Sequence, residues 1–255
     1  MSRPPRTRIR THTPDAAAPA EPAQAASAAD VPQLLRLLHL ASPALPIGAF
    51  HFSQGLEYAV ETGWVCDEPS ALEWIGGIAQ AGLATLDLPV LHRLHTAWTQ
   101  ADHAGVLRWN DFLIACRETE ELRLEDRHLG AALIRVLGEF ELTTDLFPAT
   151  SPNIRSAVAH ATAFGFACSR WRIDPLAALQ TYAWAWAENQ VLAAVKLVPL
   201  GQSAGQRMLH SLNFRLGSYS AQAMEVLDSD IGISTALQGV ASGRHETQYT
   251  RLFRS

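Results

Sequence analysis

From Asp30 to the end of the chain, apolar residues recur at helical spacing, and no stretch alternates apolar and polar positions between turn residues as a half-buried strand would. The expected fold is therefore all-α: a single-domain bundle of roughly nine or ten helices with no sheet. Helix starts are punctuated consistently. Asp30, Asp67 and Asp174 each stand just ahead of a proline and an apolar run, the pattern of an N-cap followed by a residue whose missing N–H costs nothing there. Ser42-Pro43-Ala44-Leu45-Pro46-Ile47-Gly48 breaks the first helix with a rigid apolar loop. Further helices are expected over residues 49–61, from Asp67, over 88–99, 106–119, 120–140 and 151–167, from Asp174 past Ala194 towards the Pro199/Gly201 break, and over 203–216, 218–227 and 231–238. Residues 120–140 carry the clearest stripe, formed by Leu122, Leu129, Leu133, Val136, Leu137 and Phe140.

Residues 1–30 are Ala, Pro, Thr and Arg with hardly a large apolar group, so they cannot bury enough surface to offset the entropy of ordering. They read as a disordered extension, with a targeting segment as the minority alternative. Residues 31–240 form the helical domain and 241–255 a tail. A formal charge of −5 with 18% charged residues excludes a protein that binds nucleic acid by neutralising phosphates. No uncharged apolar run reaches the ~18 residues of a membrane span. Cys66, Cys116 and Cys168 are few, odd in number and far apart, which fits a reducing cytoplasm better than a disulfide framework.

Catalytic chemistry is hard to assemble from these residues. Lys196, the single lysine beside nineteen arginines, lies in Ala194-Val195-Lys196-Leu197-Val198, just before the Pro199/Gly201 break. Its ammonium must reach water along its stem or meet a carboxylate. The following Gly201-Gln202-Ser203-Ala204-Gly205-Gln206-Arg207 lacks the spacing of a phosphate loop and has no strand before it. His51-Phe52-Ser53-Gln54-Gly55 misses the first glycine of a nucleophile elbow, so Ser53 and Gln54 read as helix-face hydrogen-bonding groups. His92 and His95 are i, i+3 with no third ligand nearby, the pattern of a surface pair. Glu118, Glu120, Glu121, Glu125 and Asp126 alternate with Arg117, Arg123 and Arg127. They read as a solvated, salt-bridged face with Arg117 and Glu121 paired. The alternative function is a small α-helical metalloenzyme built from His92, His95 and those acids. The tail instead interleaves Arg244, His245, Glu246, Arg251 and Arg254 with Tyr249, Leu252 and Phe253, residue types that anchor protein interfaces.

Four segments in order resemble the urease accessory protein UreF family. They are Ser42-Pro-Ala-Leu-Pro-Ile-Gly-Ala-Phe50 through Ser53-Gln-Gly-Leu-Glu57; Arg117-Glu-Thr-Glu-Glu-Leu-Arg-Leu-Glu-Asp126; Ala194-Val-Lys-Leu-Val-Pro-Leu-Gly-Gln202 through Ala204-Gly-Gln-Arg207; and Arg244-His-Glu-Thr-Gln-Tyr249 through Arg251-Leu-Phe-Arg254. A His-x-x-x-Phe-Gly element, His160 to Gly165, also fits, and the resemblance spans residues 32–255. It implies an all-helical, dimeric cytoplasmic protein without cofactor or catalysis. Such a protein would bridge a UreD/UreH-type partner and the UreG GTPase on apo-urease and regulate GTP-coupled nickel delivery. The implied tail orders against the UreD/UreH-type partner. The partner-binding candidates are Lys196, Gln202, Arg207, Glu121, Glu125 and the tail residues Arg244, His245, Glu246, Tyr249, Arg251, Leu252, Phe253 and Arg254.

Overall fold

Helices account for every regular element among the described residues of the computed structural model, which are Met1, 31–147, 157–232 and 235–255. In order they are α1 Val31–Ala41, α2 Leu56–Glu61, α3 Glu68–Ile78, α4 Leu88–Thr99, α5 His103–Ala115, α6 Glu120–Glu139, α7 His160–Arg170, α8 Pro175–Leu197, α9 Gln202–Ala223 and α10 Ala236–His245. Short 3₁₀ turns lie at Ala49–His51 and Asp228–Asp230. The expected start of a helix at Ser151, and the 2–30 extension, fall outside the described residues.

Two of the three expected aspartate caps act where the sequence puts them, and the third, Asp30, lies outside the described residues. Asp67 accepts the Ser70 N–H while the Ser70 hydroxyl takes the Asp67 N–H, a complete capping box ahead of α3. Asp174 caps α8 through the Ala177 N–H, and Thr119 caps α6 through that of Leu122. Several boundaries differ from expectation, among them that of α5, which spans His103–Ala115 rather than 106–119. The helix expected over 49–61 is split, because Phe52 is extended and Gln54 and Gly55 take left-handed backbone, with φ of 55° and 85°. Gly217 does not stop a helix. α9 runs through it to Ala223, since a mid-helix glycine costs only about 1 kcal/mol and packing against α8 outweighs that. The last helix begins later than residue 231 and reaches His245.

α3 and α4 are one continuous rod joined by a π-helical stretch, Ala79–Asp87, in which Leu88 N–H bonds back to the Leu83 carbonyl. The wider turn lets the rod pass through Pro89, which has no N–H to give. This rod is apolar enough by composition to cross a membrane, but 67% of its most apolar window is buried inside the bundle. With α8 it forms the centre. Leu88, Leu91 and Leu94 of α4 and Leu179 of α8 are wholly buried, each contributing roughly 1.5–3 kcal/mol of burial. α5, α7 and α9 pack around α4, while α1, α2, α3 and α9 pack along α8.

Gly130 on α6 packs directly against backbone, where a Cβ would stand 2.1 Å from the Val158 carbonyl oxygen just before α7. Backbone cannot move aside as a side chain can. Gly130→Ala is expected to destabilise the full chain by about 1–3 kcal/mol of overpacking. That exceeds the helix-propensity gain of about 1 kcal/mol. Urea unfolding checks it, and equal or greater stability would contradict this packing.

Candidate interaction surface

Residues 121, 125, 129, 133 and 137 are spaced by four and share one stripe of α6. The last three are leucines in the core. The first two are Glu121 and Glu125, and they are buried as well, at 7% and 4% exposure, with Asp126 at 4%. The expectation of a solvated acidic face is therefore corrected, and its cause is positional. Arg117 precedes α6 in the loop after α5, so no i, i+4 geometry with Glu121 exists. Arg117 turns inward instead. Its Nε donates to Asp126 at 2.8 Å and both Nη groups grip Asp87 at the end of the π stretch. Asp126 also accepts the His160 backbone N–H at 2.6 Å, which fixes the start of α7.

Burial works against each charge here, and the pairing decides the outcome. It would pull the Arg117 guanidinium down, but Asp87 and Asp126 outweigh it and hold Arg117 well above the usual arginine range. Burial lowers His160 to about 4, against the pull of Asp126. The Tyr182 hydroxyl is driven well up by burial and by Asp87 and Asp126. Among the described residues Glu125 forms no ion pair, and burial pushes it up to about 7 despite the hydrogen bonds from Gln54 and Ser255 and the charge of Arg117. A cavity of about 140 Å³ is lined by Arg117, Glu125, Asp126, His160 and Tyr182 together with core leucines.

The remaining acids hold the tail. Glu57 of α2 accepts the backbone N–H of Leu252 at 2.6 Å and of Phe253 at 2.8 Å. His245, fully buried at the end of α10, lies between Glu121 on Nδ1 at 2.8 Å and Glu57 on Nε2 at 3.1 Å. Arg251 reaches the other Glu121 oxygen at 2.9 Å. Ser53 gives both its N–H and its hydroxyl to the Ser255 carbonyl, the Ser255 hydroxyl donates to Glu125, and Arg254 N–H donates to the His51 carbonyl. Glu246 accepts the Glu120 N–H at the start of α6. Gln54 donates to Glu125 and accepts from the Trp186 indole of α8. Ser53 and Gln54 thus serve the tail and the interior rather than a helix face.

What this packing leaves outward is specific. Tyr249 is fully exposed and Leu252 is 68% exposed, beside a tail backbone that is pinned. Lys196 is exposed at the end of α8, its ammonium 5.8 Å from the Phe50 ring and 5.7 Å from the Phe253 ring. Among the described residues it forms no ion pair, so it takes the water-facing course with two aromatic faces beneath it. Glu121, Glu125, His245, Arg251, Phe253, Arg254 and Lys196 therefore belong to one neighbourhood. Arg244 is exposed on the last turn of α10. Gln202 and Arg207 stand apart at the start of α9, where Arg207 forms a two-point bridge to Glu68. Gly205 lies beneath them, 3.0 Å from the Val195 side chain at its notional Cβ, so α8 and α9 touch closely at this bend.

His92 and His95 do not form the expected surface pair. His95 is 6% exposed with Nε2 on the Ile173 carbonyl, because the end of α7 packs over it. No group of three or more His, Cys, Asp or Glu in metal-holding geometry occurs among the described residues. Sequence reasoning missed Glu57 and Asp87. Both are acids inside apolar runs, Leu56-Glu57-Tyr58-Ala59 and Leu86-Asp87-Leu88, the same signal that singled out Lys196.

A model of the UreF family matches residues 65–213. The urease accessory protein UreF of Alkalilimnicola ehrlichii is 46% identical over 217 residues, 85% of this chain and 93% of that protein. Those of Azoarcus sp., 46% identical, and Alcanivorax borkumensis, 44% identical, each match over 218 residues, 85% of this chain and 93% and 95% of their own lengths.

Glu125 supplies a pH test. Its folded value lies above the ordinary carboxyl value, so the folded chain holds the extra proton between about 4.5 and about 7, and stability falls as pH rises through that window. Glu125→Gln removes the charge while keeping the shape. It is expected to raise the melting temperature at pH 8 and to change it little at pH 4.5. A lower melting temperature at pH 8 would mean that the ionised form is the one stabilised.

Proposed function

Since the chain belongs to the UreF family of urease accessory proteins, we propose that it serves urease maturation as an adaptor without catalysis of its own. In this reading it joins a UreD/UreH-type partner and the UreG GTPase on apo-urease and regulates GTP-coupled nickel delivery, as a homodimer in the cytoplasm. Nickel is cargo of the assembly. The observation that carries the reading is the division of labour in the tail. Its backbone and its His245, Arg251 and Phe253 side chains are committed to the body of the protein, whereas Tyr249 and Leu252 face outward beside Lys196. A pre-ordered strip bearing aromatic and aliphatic anchors beside a cation costs little entropy to dock.

Removing the tail from Arg244 onward is not a clean experiment. It would strip donors from Glu57, Glu121 and Glu125 and leave buried carboxylates unmatched, a cost of several kcal/mol. The exposed anchors are the better probes. The double variant Tyr249→Ala/Leu252→Ala is expected to keep the wild-type melting temperature within about 2 °C, as surface changes do. Its affinity for the UreD/UreH-type partner is expected to fall by at least tenfold, the effect of losing a hot spot. Unchanged affinity in titration calorimetry, with normal urease activation, would contradict the proposal.

Lys196→Ala removes an exposed ammonium that forms no ion pair among the described residues. Urease activation in a reconstituted system is expected to drop while melting temperature stays within about 2 °C. A large loss of thermal stability with normal complex formation would make Lys196 a structural residue.

A further inference from the structure

His245 presents both ring nitrogens to carboxylates, at 2.8 Å from Glu121 and 3.1 Å from Glu57, with no exposure to water. A neutral imidazole has one N–H, so in that form one of these contacts would set a nitrogen lone pair against a carboxylate oxygen. Both contacts become hydrogen bonds only when the three groups together hold one proton more than a neutral ring and two carboxylates. Charge counting agrees. Two carboxylates balanced by Arg251 and an imidazolium sum to zero, whereas a neutral ring leaves one uncompensated negative charge in a buried site.

We propose that Glu57, His245 and Glu121 form a proton-dependent latch, in which closure of the tail takes up one proton and the tail is released as pH rises. The mechanical link is one atom. Glu57 Oε2 accepts from both His245 Nε2 and the Phe253 backbone N–H, while Glu57 Oε1 takes the Leu252 N–H. Losing the proton turns His245 Nε2 or Nδ1 into a repelling neighbour of the carboxylate that holds α10 or the tail. Wherever the opened chain has lost the proton that the closed latch keeps, closing consumes one, and the closed-to-open ratio falls by up to tenfold per pH unit.

The charged groups facing the latch are few. Glu57 comes from α2, Glu121 from α6 and Arg251 from the tail, while Glu246 of the segment after α10 is turned to the Glu120 N–H. Glu125 is the one neighbour whose own protonation falls in a nearby range, and it touches the tail only at Ser255. The Thr119–Ser242 hydroxyl pair beside the latch does not titrate at these pH values. The latch is a property of the free chain and stands whatever partner the tail serves.

The test is hydrogen exchange of the Leu252 and Phe253 amides in the full chain by NMR from pH 6.5 to 8.5, corrected for intrinsic exchange. Their protection is expected to fall by roughly three- to tenfold per pH unit, with the Leu179 amide in α8 unchanged as a reference. Glu121→Gln lets a neutral ring be satisfied on both sides, through the Gln amide and Glu57. Protection should then persist at pH 8.5 with the slope gone. His245→Gln should lower protection and also abolish the slope, and Glu125→Gln should preserve it. Protection independent of pH in the wild type, or a slope that survives Glu121→Gln, overturns the latch. So does a slope that vanishes in Glu125→Gln.

Discussion

A buried carboxylate must be met by donors, and in this bundle that requirement organises everything around the first two turns of α6. Asp126 and Asp87 share Arg117 and thereby tie the π stretch, the α5–α6 loop and the start of α7 into one unit. Glu121 and Glu57 obtain donors from the far end of the sequence, and Glu125 obtains one there, from Ser255, and one from Gln54. Removing one member of such a set leaves a desolvated charge behind, which costs more than a surface salt bridge ever contributes. The tail is thus a structural ligand of its own domain.

The architecture was legible where local chemistry decides it. N-cap acids, prolines at first turns and leucine stripes located most helices, and the absence of alternating segments excluded a sheet. The errors arose where tertiary contact overrides local preference. Gly217 looked like a stop but lies in a helix pressed against α8, and the rod crossing Pro89 survives by widening into a π-helix. A stretch that looked like one helix is broken at Phe52 to Gly55 so that Ser53 can meet the tail.

The candidate site was legible by residue type and illegible by environment. Tyr249, Leu252 and Lys196 were singled out as partner-binding candidates and are exposed. Glu121, Glu125 and His245 were found too, but helical spacing alone did not reveal that a remote segment covers them. The interleaved arginines made the acidic turn look solvated, although Glu121 and Glu125 continue the leucine stripe. Glu57 carried the same signal as Lys196, a charge inside an apolar run, and bears more of the tail than any other side chain. Position in the buried stripe was the better guide than charge density.

The tail and Lys196 are proposed to form one pre-ordered docking face. The most direct measurement is hydrogen exchange of the full chain with and without the purified UreD/UreH-type partner. Complex formation should add protection to amides around Tyr249 to Phe253 and at the end of α8 near Lys196. Protection confined to other helices, with these segments exchanging as in the free chain, would contradict it.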